Sequence, residues 1–90
     1  MDDLSDPEFA AGYLALVLED TFKEERDLKT FFIAIKNVID AQTSMKNVAA
    51  KTKLGRESLY KSLSKNGSPQ FSTIHSILNA IGFKLSLSCL

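Results

Sequence analysis

Five polar residues crowd between positions 56 and 61: Arg56, Glu57, Ser58, Tyr60 and Lys61. Their types suit recognition rather than reaction. A guanidinium binds guanine through two hydrogen bonds or holds phosphates, and an ammonium attracts phosphates. Catalysis has no comparable foothold. Ser58, Ser62 and Ser64 have no histidine at motif spacing, and a serine without a base is a poor nucleophile. The chain has one histidine, His75, and one cysteine, Cys89. A structural zinc site takes four ligands, and a single cysteine closes no disulfide within the chain. With neither a zincin motif nor a P-loop, the expectation is no enzyme, no metal and no cofactor. His75 is expected at the surface or an interface, and Cys89 in packing or at an edge.

The segment that must position these five residues is MKNVAAKTKLGRESLYKSL, residues 45–63. Ser44 is a plausible helix cap, and Met45, Val48, Ala49 and Thr52 share one face of a two-turn helix. Lys53-Leu54-Gly55 reads as a tight connection. A second short helix follows from Arg56 to Leu63, with Leu59 and Leu63 inward. Two short helices joined by such a turn make a helix-turn-helix. Small Ala49 suits a close approach of the two helices, while Val48, Leu54 and Leu59 fill the space between them. The five polar residues then point outward near the start of the second helix, where side chains reach base edges in a major groove.

The remaining elements form the support. Asp6-Pro7-Glu8 opens a helix, and Phe9, Tyr13, Leu14, Val17, Leu18 and Phe22 continue it to about Lys23 at helical steps. Asp27 can cap a second helix, whose stripe of Leu28, Phe31, Phe32, Ile35, Val38 and Ile39 predicts deep burial to near Ala41. Asn66-Gly67 and Pro69 mark a turn. Phe71, Ile74, Ile77, Leu78 and Ile81 give a last helix, ended by Gly82 in a left-handed conformation. Beyond it Phe83, Leu85, Leu87 and Cys89 alternate with polar residues. That is a strand pattern over 83–90, and a lone strand needs a partner: the same strand of a second copy, across a twofold axis. Phe83, Leu85 and Leu87 are therefore the candidate dimerisation residues.

With 90 residues, 44% of them apolar, the chain is expected to form one small domain. Within it, 1–26 is an acidic helical segment, 27–82 the helical core and 83–90 the strand. A chain this short buries only about 60–65% of its unfolded surface, which favours oligomerisation as a stabiliser. Its formal net charge of zero hides a division. Residues 1–27 hold nine acids against Lys23 and Arg26, a net of −7; residues 28–90 hold nine bases against Asp40 and Glu57, a net of +7. Two surfaces with two partner classes are expected, one partner cationic and one anionic, such as nucleic acid; solvated helix faces are the plainer alternative. No apolar run is long enough for a membrane span, and the acidic start does not read as a secretory signal, so a cytoplasmic location is expected.

The segments GYLALVLED and VAAKTKLGRESLYKSLSKNGSPQFSTIHSILNAIGFKLSL resemble the XRE/Cro-type helix-turn-helix proteins. Within these, the chain is similar to the HigA-like probable addiction module antidote proteins, over nearly its whole length. The resemblance implies an all-α, five-helix, lambda-repressor-like DNA-binding domain acting as a dimer. It also implies a small toxin of the RelE/HigB type encoded alongside, and repression of the chain's own operon by binding an operator palindrome. Rival readings are a free-standing or phage-type XRE regulator without a toxin, and an interaction module that has lost DNA binding.

Against that pattern, Lys53 occupies a turn position that usually holds glycine, Gly55 replaces a serine cap, and Asn47 stands for a glutamine. The candidate DNA-binding residues are Lys46, Asn47, Arg56, Glu57, Ser58, Tyr60, Lys61, Lys65 and Ser68. Lys46, Lys51, Lys53 and Lys65 are expected on phosphates. Glu57 either orients Arg56 or accepts from cytosine. Tyr60 meets a phosphate or a thymine methyl, or packs. Ser68 holds a phosphate or caps the last helix.

Overall fold

Asp6 starts the first helix by accepting the Glu8 amide on its carboxylate at 3.1 Å, while Pro7 sits where a missing amide costs nothing. The resulting α1 spans Pro7–Lys23. The structure, a computed structural model, describes residues 3–23, 28–64 and 69–84, the side chain of Phe22 excepted. Four further helices follow: α2 Lys29–Gln42, α3 Met45–Thr52, α4 Arg56–Ser62 and α5 Phe71–Ala80. These match the expected elements to within a residue or two. Asp27, the expected cap of α2, lies outside the described residues.

The α2 stripe behaves as its spacing predicts. Phe31, Phe32, Ile35, Val38 and Ile39 are buried, and Ala34 joins them. α1 packs on α2, and α3 meets α2, α4 and α5. The core is therefore continuous from Leu14 through Ile35 and Val48 to Leu59, Leu63, Ile77 and Leu78. Among the described residues no buried side-chain polar atom lacks a hydrogen-bond partner. The one buried polar side chain among the described residues, Thr21, gives its hydroxyl to the Val17 carbonyl at 2.9 Å.

Two packing expectations need correction. Phe9 is 40% exposed, and α1 instead buries Ala10, Leu14 and Thr21. Leu28, counted into the α2 stripe, is also exposed, because the helix begins one residue after it.

The strand expected over 83–90 finds no support. Among the described residues there is no strand; Phe83 and Lys84 have irregular backbone, and residues 85–90, with Leu85 and Leu87, lie outside the description. The reason at Phe83 is local. Gly82, at φ +90°, closes α5 in a Schellman turn: its amide bonds the Asn79 carbonyl and the Phe83 amide bonds the Leu78 carbonyl. Phe83 is folded back against the core by that turn.

The turn between α3 and α4 carries strain. Lys53 has φ 62°, the only positive φ among the described non-glycine residues. A side chain in this region costs roughly 1–2 kcal/mol relative to glycine, which also loses more entropy on folding. Lys53→Gly is thus expected to stabilise the domain by about 0.5–1 kcal/mol, raising Tm by roughly 3–6 °C. Thermal unfolding by circular dichroism checks this; an unchanged or lower Tm counts against the strain.

Candidate nucleic-acid interface

The head of α3 is built by its cap. Ser44 accepts the Asn47 amide on its hydroxyl at 3.1 Å, and the Asn47 side-chain amide donates to the Thr43 hydroxyl at 3.0 Å. Asn47 and its neighbour Lys46 stand exposed on the first turn. At the other end, the Thr52 hydroxyl donates to the Val48 carbonyl at 2.8 Å and accepts the Leu54 amide at 3.3 Å. That bond gives the turn a partner for an amide that no helix satisfies. Leu54 packs half-buried against the core, and Gly55 then opens α4 in extended conformation without a side-chain cap.

α4 is anchored from one side only. Leu59 and the following Leu63 are fully buried, while Arg56, Glu57, Ser58, Tyr60 and Lys61 are exposed. The five polar residues thus share the outer surface of a short helix fixed by two leucines. Lys46 and Asn47 of α3 and Lys53 on the turn are exposed as well, and among these eight residues of the α3–turn–α4 unit Glu57 is the only acid. Arg56 makes no ion pair among the described residues, so the orienting bond from Glu57 is not formed and the guanidinium keeps all its donors.

Lys51, expected on a phosphate, makes a contact within the fold, and a further lysine lies outside the motif. Lys51 reaches across to α5 and donates to the Ala80 carbonyl at 3.4 Å, a cation at a helix C-terminus, where the dipole favours it. Its ammonium serves the packing of α3 on α5. Lys36 of α2, which the motif did not include, lies near Tyr60. Its ammonium donates to Asp40 at 2.8 Å, and that bond holds it above the ordinary lysine range, with a smaller attraction from the Tyr60 phenol. The spacing of Lys36 and Asp40 was readable as an i, i+4 pair, but nothing local brings it beside α4. Lys65 and Ser68 lie outside the described residues. His75 is exposed on α5, as expected.

These side chains offer hydrogen-bond donors and net positive charge at exposed positions of α3, the turn and α4. Among the described residues, no group of three histidines, cysteines or carboxylates could hold a metal, and no helix is long and apolar enough to cross a membrane.

A family model described as "probable addiction module antidote protein" matches residues 1–89. No curated protein and no solved structure matches the chain.

Proposed function

Because the chain belongs to the probable addiction module antidote proteins, we propose that it is an antitoxin that also represses its own operon by binding DNA. Membership implies a toxin partner. The observation that carries the DNA reading is the α3–turn–α4 unit, in which buried Leu59 and Leu63 leave Arg56, Tyr60 and Lys61 exposed on α4, with Lys46 and Asn47 exposed on α3. In this reading a homodimer sets two copies of α4 into successive major grooves, about 34 Å apart on a palindromic operator. Arg56 reads guanine, Glu57 and Ser58 meet adjacent base edges, and Lys46 and Lys61 neutralise phosphates, joined by Lys65 and Ser68. Leu85 and Leu87 remain the candidates for the dimer contact, Phe83 being turned against its own core. The toxin, of the RelE/HigB type, is held by contact with the acidic amino-terminal third, which includes Asp2, Asp3, Asp6, Glu19 and Asp20.

One experiment tests both halves. The chain is co-purified with the product of the adjacent gene, and the complex is footprinted on the intergenic region over a range of salt. A protected palindrome is expected, with affinity falling by about 0.9 log units per log salt for each phosphate neutralised. A palindrome bound without any partner favours the free-standing regulator. A partner bound without any salt-sensitive DNA affinity favours the interaction module, and sinks the repressor.

A further inference from the structure

A second surface shares no residue with the α3–turn–α4 unit. An open, mainly apolar groove of about 450 Å³ lies between α1 and the end of α5. Leu14 and Leu18 of α1 line it with Phe31 of α2 and Leu78 of α5, and Phe83, turned in by Gly82, also lines it. The α1 wall is low, because Ala11 and Ala15 are exposed there and add only methyl groups. An approaching backbone can come close over such a wall.

Charge identifies the occupant. Glu8 precedes Ala11 by three residues and Glu19 follows Ala15 by four, so both flank the same helix face. Both are exposed, and neither carboxylate has an ion-pair partner among the described residues. They lie eleven positions apart, about 16 Å along the helix. The whole segment 1–27 adds a net of −7. On the far wall Lys84 supplies one positive charge. A second copy docking α1 against α1 across a twofold axis sets these acids against like acids, which opposes it.

We propose that the groove receives a basic amphipathic helix of the toxin, about three turns long. Its apolar ridge lies on Leu14, Leu18 and Phe31, and its basic edge faces Glu8 and Glu19. The proposal rests on the antitoxin reading above and gives it a site: the groove supplies most of the affinity, and the acids supply steering and orientation.

The test uses the full chain and the product of the adjacent gene as probe. Ala15→Arg fills the groove and adds a positive charge at an exposed position. Glu8→Gln with Glu19→Gln leaves the groove open and removes only charge. Toxin affinity is measured by calorimetry, DNA affinity by gel shift, and Tm and mass for each protein. Ala15→Arg is expected to weaken toxin binding at least ~10-fold, with DNA affinity unchanged. The double glutamine is expected to weaken it about 3- to 10-fold at low salt, the difference fading at high salt. Unmutated chain that binds no toxin overturns the antitoxin reading itself. Unmutated chain that binds toxin, with both variants binding equally well, overturns the groove alone. A dimer that Ala15→Arg turns into monomer assigns the groove to a second copy. An equal fall in Tm from Ala15→Arg and from removal of residues 85–90 assigns it to the chain's own tail. Either result also overturns the proposal.

Discussion

Arg56→Ala is expected to lower affinity for the operator by at least ~30-fold while leaving Tm unchanged. The magnitude follows from two half-sites, each losing about 1–3 kcal/mol of bidentate recognition. Arg56 is the first residue of α4, is exposed, and spends none of its donors on an ion pair within the described residues. Its removal therefore costs the fold nothing and the DNA contact a great deal. Arg56→Lys separates the two roles of the side chain. An ammonium keeps the charge but has no planar fork to match two acceptors at once. If Arg56 reads a base, lysine restores affinity for random DNA and leaves operator affinity depressed. If it holds a phosphate, lysine restores both. Gel shifts on operator and scrambled duplex at one salt concentration distinguish these. Operator affinity within twofold of the unmutated chain for Arg56→Ala removes this residue from the interface.

How much of this was legible in the chain follows from where each signal resides. Helix ends are written locally: Asp6-Pro7, Ser44 and Gly82 act on amides and carbonyls within five residues, and all three act in the structure as their types predict. Lys53 stood out only against the resemblance, as the residue at a turn position that usually holds glycine, and its φ of 62° agrees with that departure. The α2 stripe was legible because a helix packed deeply buries most of its apolar residues. α1 was harder. Phe9-Tyr13 and Ala10-Leu14 are both helical rows, set 100° apart, and α1 packs mainly on α2, which buries one row. Side-chain size favoured Phe9, and the position of α2 favoured Ala10. The lysines divide likewise. Lys51 and Lys61 are alike in sequence, and only the arrival of the α5 C-terminus under Lys51 separates them. Lys36 lies within electrostatic reach of Tyr60, 24 positions away, which no local pattern encodes. The tail pattern misled at Phe83 because period-two spacing does not register a preceding left-handed glycine that aims the side chain back at the core.

Leu59→Ala is expected to abolish DNA binding without removing any atom that meets DNA. Leu59 is fully buried in the core that α4 shares with α3. Truncating a buried leucine costs about 2–5 kcal/mol, and a domain of this length has about 5–13 kcal/mol in all. The expected fall in Tm is roughly 10 °C or more. The damage concentrates in α4 because a seven-residue helix has no stability of its own and its other side chains toward solvent contribute little packing. Leu63 alone then holds the helix, and Arg56 and Lys61 lose the rigid base that aims them. Leu59→Met keeps the volume and is expected to cost under about 1.5 kcal/mol and retain operator binding. Circular dichroism melts paired with gel shifts below each variant's Tm check the argument. A Leu59→Ala protein that melts within about 3 °C of the unmutated chain, or that binds operator normally, shows that α4 is held by something other than its leucines.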